Sequence, residues 1–277
     1  MAEQNSAALP PETLEGWYVL HQLFRVERGM AREWAGERLD ELKDAMQACL
    51  DRLAAPGEGW SAVVQLVGSE ADVMFVHFRP TLDAVGEAQR AIALEPFADF
   101  LEPIYSFLAV TEAGLYHITA ELAKEAAKRG GTVGDEEYAR QLAERAARER
   151  ASAHVRRRLY PTLPPDMPWV CFYPMSKRRS VGQNWYALSL EERSRLMYAH
   201  GTTGRKYAGR IVQVISGAIG FDAWEWGVTL FAKDPLEFKK IVTEMRFDEV
   251  SANYAEFGEF HVGRVIAPEA WLASVVG

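Results

Sequence analysis

One pattern of strands and helices is written twice in this chain, and that repeat restricts the fold more than any other feature of the sequence. Read for apolar periodicity, 16–27 is strand-like, 39–53 follows a helical period and 56–59 is a turn. Two short β-branched runs, 61–67 and 72–78, flank the turn Gly68-Ser69-Glu70-Ala71; a helix over 81–93 then leads to a strand near 105–110. The order is β-α-β-β-α-β. From Trp169 it returns as a strand at 169–174, a helix at 189–208, strands at 211–216 and 224–231, a helix at 234–245 and a strand at 257–265. Val64-Gln65-Leu66-Val67-Gly68 and Val212-Gln213-Val214-Ile215-Ser216-Gly217 occupy the same place in each half. Each half predicts a ferredoxin-like unit, hence an α+β chain. Such units carry helices on one sheet face only, so two of them pack sheet to sheet or join their sheets into a barrel with helices outside. The expected division is an N-terminal half at 12–119, a helical connector at 120–158 and a C-terminal half at 159–277. The connector is rich in Ala, Glu and Arg, is broken at Gly130-Gly131, and reads as solvated.

Two helix starts are marked. Ser189-Leu190-Glu191-Glu192 has the form of a capping box, and Asp234-Pro235 puts proline in the first turn, where its missing N–H costs nothing. The 277 residues are 48% hydrophobic and 25% charged, enough for a substantial core. No apolar run approaches the roughly 20 residues of a membrane span, and 1–11 lack a secretory signal, so the expected location is cytoplasmic. Cys49 and Cys171 form no metal or redox spacing and read as buried thiols. A net charge of −8 argues against nucleic-acid binding, while Lys177, Arg178 and Arg179 make a local basic patch suited to an anionic small molecule.

Of the six histidines, five have ordinary explanations: His21, His77 and His261 lie in strands, and His117 and His154 flank the connector. His200 enters the run Ala199-His200-Gly201-Thr202-Thr203-Gly204-Arg205-Lys206-Tyr207-Ala208-Gly209, whose small residues let a flat ligand approach the backbone. One imidazole without clustered acids or cysteines is too little for zinc, yet it suffices as the proximal ligand of a haem iron.

The second half carries a resemblance. Phe172-Tyr173-Pro174-Met175-Ser176-Lys177-Arg178-Arg179, Asn184-Trp185-Tyr186, the His200–Gly209 run, Glu225-Trp226-Gly227-Val228-Thr229-Leu230-Phe231 and Glu244-Met245-Arg246-Phe247-Asp248-Glu249-Val250-Ser251 are similar to signature segments of the coproheme decarboxylases, in the chlorite dismutase-like superfamily. The similarity is dense over 159–263 and collinear from about Gly16. It implies a duplicated ferredoxin-like fold forming a dimeric α+β barrel, assembled as a homopentamer, with the porphyrin in the second half. It also implies a peroxide-dependent step of haem biosynthesis, in which Fe-coproporphyrin III (coproheme, both substrate and cofactor) becomes haem b through a three-propionate intermediate.

By the same resemblance His200 is the iron ligand and Tyr173 the tyrosine whose radical attacks a propionate, with Lys177, on the same strand face, holding the carboxylate. Arg246 and Ser251 hold the propionates that stay, Gln213 stands over the iron on its distal side, Met175 lines the pocket, and Arg158 is a weaker propionate contact. Taken singly, Tyr173 reads as a core aromatic, Lys177 to Arg179 as a blunted edge strand, Gln213 as a core amide like Gln65, and Arg246 as a helix C-terminal charge. One ligand explains all of them together. Chlorite dismutases place an arginine where Gln213 stands, and a neutral amide holds a departing oxyanion poorly, so chlorite breakdown is expected to be slow. Another bacterial branch of the decarboxylases uses a distal histidine, which this chain lacks. The rival readings are a peroxidase keeping haem b as a permanent cofactor and a haem carrier or sensor without chemistry. Expected partners are coproheme, hydrogen peroxide, further copies of the chain and, transiently, the ferrochelatase that makes coproheme.

Overall fold

A computed structural model describes residues 9–54 and 57–276. Pro56 of the expected 56–59 turn and most of the 1–11 segment lie outside the described residues. The first half runs β1 (Thr13–Val26), α1 (Arg28–Ala54), β2 (Trp60–Val67), β3 (Val73–Arg79), α2 (Leu82–Ala93) and β4 (Leu101–Gly114). Three helices follow, α3 (Tyr116–Lys128), α4 (Glu136–Ala151) and α5 (Ala153–Leu159). The second half runs β5 (Trp169–Lys177), α6 (Leu190–Arg205), β6 (Ile211–Gly217), β7 (Trp226–Ala232), α7 (Leu236–Arg246), α8 (Glu249–Tyr254), β8 (Ala255–Phe257), β9 (His261–Ile266) and α9 (Pro268–Val276).

The repeat is visible in the pairing. Strands order as β4-β1-β3-β2 in the first half and as β9-β5-β7-β6 in the second, all antiparallel. The halves join twice, through β2–β9 (Val63↔Ile266 to Val67↔Val262) and the shorter β4–β6 (Val110↔Gly217, Thr111↔Ser216). Because β5 also pairs with β7, the ladder returns to the strand it started from.

Strand alternation then sorts side chains into two layers. One face of both halves meets in a shared core of Val19, Leu23, Met74, Phe78, Phe107, Val170, Phe172 and Phe231. Burying one such phenylalanine contributes roughly 1.5–3 kcal/mol. His21 crosses this core: its ring stacks on Phe172 at 4.0 Å and its Nε2 lies 2.9 Å from Thr229 Oγ1. The other face packs under helices, with Phe75, Phe97 and Phe100 clustered with α1, α2 and Trp271 of α9, and Cys171, Tyr173, Val228 and Leu230 against Ile241 and Met245 of α7.

Ser189 Oγ accepts from Glu192 N–H at 3.2 Å, but the Glu192 carboxylate turns to Arg195 at 3.9 Å, so only one side of the capping box forms. Asp234 Oδ1 accepts from Leu236 N–H at 2.9 Å, and Pro235 has helical dihedrals (φ −62, ψ −18). Gly130, at φ +76, ends α3 where the sequence marks a break. The connector is exposed or half-buried over most of its length and is anchored at a few apolar points. Leu122 and Ala126 bury against Tyr138 of α4, and Val155 and Leu159 of α5 pack on Leu14 and Ala113. The expected strand 257–265 is interrupted at Gly258, where a Cβ would stand 2.7 Å from Pro174 Cγ. Gln65 is exposed, so it is no core amide.

Candidate active site

The helix-facing side of β5 presents Cys171, Tyr173, Met175 and Lys177 in strand alternation. Tyr173 is 4% exposed; its ring stacks on Phe260 at 4.3 Å and lies 6.0 Å from Phe257. Its hydroxyl makes no hydrogen bond among the described residues. Burial holds the phenol above its ordinary pKa, Cys171 adding to the effect and Arg246 opposing it. Such an environment disfavours phenolate while accepting the two neutral forms, phenol and phenoxyl.

Lys177 is 7% exposed, and its Nζ lies 4.6 Å from the centre of the Trp185 ring. No carboxylate approaches that ammonium within 4.0 Å among the described residues, although Glu225 Oε2 accepts from the Lys177 backbone N–H at 2.7 Å. Burial pulls Lys177 down to about 8, with Asp248 and Glu225 pulling the other way. An unpaired buried ammonium is costly unless a ligand supplies the anion.

Helix α6 carries His200. Its Nδ1 lies 2.8 Å from Asp248 Oδ2, and Asp248 Oδ1 accepts from Ser251 N–H at 2.9 Å as the cap of α8. Burial works to raise the Asp248 pKa, yet hydrogen bonds from His200 and Ser251 outweigh it and hold the carboxyl below its ordinary value. The carboxylate fixes the ring proton on Nδ1, which leaves the Nε2 lone pair for a metal. Among the described residues no three His, Cys, Asp or Glu side chains group to hold a metal ion, so a metal at His200 has to bring its other ligands with it, as a porphyrin does. One turn after His200, a Cβ on Gly204 would stand 3.3 Å from Met245 Cε and 4.0 Å from Gln213 Oε1. That glycine keeps α6 slim where it faces the half-buried Gln213.

The remaining cations differ. Arg246 is exposed and lays its guanidinium 4.0 Å over the Phe257 ring, beside Tyr173. Ser251 is buried, its hydroxyl 3.4 Å from Asp248 Oδ2. Met175 pairs with Trp226 of β7 and Phe257 of β8. Arg158 stands apart from this group, at the end of α5. Burial lowers its pKa and Glu112 opposes that; Glu112 in turn accepts from Trp226 Nε1 at 2.8 Å, the indole next to Met175 in the sheet. Beside Lys177 opens a cavity of about 590 Å3 lined by Ser176, Arg179, Trp224 and Glu256 among others. A cavity of about 100 Å3 under α9 holds none of these residues.

The second-half sheet thus carries Tyr173, Met175, Lys177 and Gln213, and α6, α7 and α8 carry His200, Arg246 and Ser251. Asp248 ties His200 to Ser251 and Phe257 lies between Arg246 and Tyr173, whereas of these residues only Lys177 lines the cavity of about 590 Å3 and Arg158 has Glu112 as its charged neighbour. Asp248, Trp185 and Glu225 enter the sequence reading only as members of longer segments. The signal for Asp248 is its place three residues before Ser251, the spacing of a helix cap.

The sequence profile of the chlorite dismutase family matches residues 38–266. A coproheme decarboxylase of Staphylococcus carnosus is 41% identical over 261 residues, covering 93% of this chain and 95% of its own. One of Thermus thermophilus is 42% identical over 267 residues, 94% of each. Among solved structures, a haem-binding protein from Thermus thermophilus superposes with a TM-score of 0.80 at 40% identity over 96% of this chain and 97% of its own. Chlorite dismutase from Candidatus Nitrospira defluvii gives 0.70 at 15% identity over 95% and 96%, a likeness of fold alone.

Proposed function

We propose, for a chain that belongs to the chlorite dismutase family, that it is a coproheme decarboxylase, converting Fe-coproporphyrin III to haem b with hydrogen peroxide. The observation that carries this is a buried tyrosine and a buried lysine, the lysine with no carboxylate within 4.0 Å among the described residues, on one strand face, in a chain whose His200 has its Nδ1 held by a carboxylate. A peroxidase or a carrier has no use for that phenol–ammonium pair.

Coproheme, bound with peroxide, supplies both the oxidising equivalents and the propionates. Each propionate, with one peroxide and one proton, becomes a vinyl group, carbon dioxide and two waters. His200 holds the iron, its ring oriented by Asp248. Tyr173 gives up its phenolic hydrogen and, as a neutral radical, takes one from the propionate β-carbon. Lys177 holds that carboxylate in place, and orientation of this kind contributes several kcal/mol to barrier lowering. Arg246 and Ser251 hold the propionates that remain, Gln213 faces the peroxide side, Met175 lines the pocket and Arg158 gives a marginal contact. After the first vinyl forms, the ring turns so that Tyr173 meets the second propionate, through a three-propionate intermediate.

The same reading takes the returning ladder as a dimeric α+β barrel of two halves, 12–119 and 159–277, joined by 120–158, assembled as a homopentamer and working in the cytoplasm with a ferrochelatase as coproheme donor. No helix of the described residues is long and apolar enough to cross a membrane. The test is to add Fe-coproporphyrin III, titrate peroxide and follow product mass. Successive losses of two carboxyl groups are expected; rapid oxygen release from chlorite with no decarboxylated porphyrin would overturn the assignment.

A further inference from the structure

We propose that Trp185 is a positioning residue for Lys177, its indole face holding the buried ammonium where a porphyrin propionate docks; this rests on the decarboxylase reading above. The local chain explains how the ring arrives there. After Lys177 the backbone loops out and returns, Trp185 N–H donating to Arg178 O at 3.0 Å and Arg178 N–H to Tyr254 O at 2.9 Å. Asn184 Oδ1 accepts from Tyr186 N–H at 3.0 Å and starts the short turn Trp185–Ala187. The indole, 1% exposed, is wedged between Tyr116 at 6.5 Å and Tyr254 at 5.7 Å, so its plane is fixed.

The two carboxylates that act on Lys177, Glu225 and Asp248, are engaged elsewhere. Glu225 spends one oxygen on the Lys177 backbone N–H and has its other 3.7 Å from Arg179, with Tyr186 nearby. Asp248 is committed to His200 and Ser251. A carboxylate on the ammonium would have to be displaced by the propionate. An aromatic face attracts the charge through its quadrupole and, accepting no conventional hydrogen bond, leaves the N–H donors to the substrate. Burial already pulls Lys177 to about 8, so losing the ring weakens the charged form further.

The test replaces Trp185 site-specifically with mono- to tetrafluorinated tryptophan, which drains the ring face at nearly constant volume, alongside Trp185→Phe and Trp185→Leu. Two readouts are followed against pH: the affinity for iron-free coproporphyrin III, and kcat/KM for peroxide-driven decarboxylation of the iron form. Fluorination should weaken both stepwise and move their basic limbs to lower pH, because the ammonium is present only below the Lys177 pKa. Trp185→Leu should cost about thirtyfold, the weight of a desolvated cation–π contact, and Trp185→Phe should recover much of it. Affinity and basic limb unmoved across the fluorinated series would overturn the proposal, even if Trp185→Leu failed to fold. Absence of any decarboxylation in the wild type would sink the enzymatic reading instead, while the iron-free porphyrin series would still judge Trp185.

Discussion

His200 Nδ1 and Asp248 Oδ2 are 2.8 Å apart, and the same carboxylate caps α8 through Ser251 N–H. One side chain therefore sets the imidazole tautomer and the start of the helix that carries a propionate contact. Asp248→Asn keeps a good cap but loses the charge, so its stability should stay near wild type while affinity for ferric coproporphyrin falls roughly 10- to 100-fold. Asp248→Ala should lose the same affinity and about 1 kcal/mol of stability besides. His200→Ala should abolish the imidazole-ligated spectrum altogether. Spectral titration with thermal unfolding checks all three, and unchanged iron ligation in His200→Ala would move the site to another histidine.

Tyr173→Phe removes a hydroxyl that makes no hydrogen bond among the described residues, so stability should change by less than the 0.5–1.5 kcal/mol or so of an ordinary buried hydrogen bond. Catalysis should be lost, with coproheme still bound and peroxide spent on bleaching the porphyrin. Product mass and the Soret band separate these outcomes; haem b formed at the wild-type rate would leave Tyr173 a core residue only.

Two imidazoles outside the site make a pH prediction. Burial pushes His21 and His77 down to about 3 from 6.5, His77 and His261 adding to the shift at His21 and Arg79 adding at His77. The unfolded chain takes up these protons near 6.5 and the folded one does not. Their contribution is intact above the unfolded pKa and is lost as pH falls from there toward 3, by roughly 1.4 kcal/mol per imidazole per pH unit. Urea midpoints at about pH 7 and pH 5 should therefore diverge strongly in the wild type and less in His21→Asn/His77→Gln, although that variant starts less stable. A parallel pH dependence in both proteins would assign the effect to carboxylates.

The order of strands and helices along both halves was legible because alternation and β-branched runs report burial directly. What stayed hidden depended on packing. The helix expected at 39–53 begins where α1 breaks, at the non-helical Arg38 (φ −125, ψ 17), whereas the mostly polar segment of α1 before that break gave no helical period; α1 is held by a distant partner, Trp271 of α9. Pro268-Glu269 is a fair helix start, but nothing local showed that Trp271 and Leu272 fill the first-half core. At the site, the family resemblance marked Tyr173 and Lys177 as candidates, since taken singly they read as a core aromatic and an edge-strand charge. Trp185 and Asp248 act through neighbours 8 and 48 residues away, at Lys177 and His200, and periodicity carries no trace of such pairs.

Gly204 gives the sharpest steric test of the site. It lies in the last turn of α6, one turn from His200, and its φ is helical enough for any residue, so backbone strain is not what requires glycine there. What a side chain would meet is Met245 Cε at 3.3 Å, the movable end of a flexible residue, with Gln213 Oε1 behind it at 4.0 Å. Gly204→Ala should thus fold normally, with stability unchanged or raised by up to about 1 kcal/mol from helix propensity. Its methyl would still narrow the space between His200 and Gln213, so coproheme affinity should fall. Gly204→Leu should fill that space and abolish porphyrin binding while the α6 helix persists. Thermal unfolding and porphyrin titration, run together, distinguish the two effects. Wild-type affinity in Gly204→Leu would mean that the porphyrin does not lie between α6 and β6.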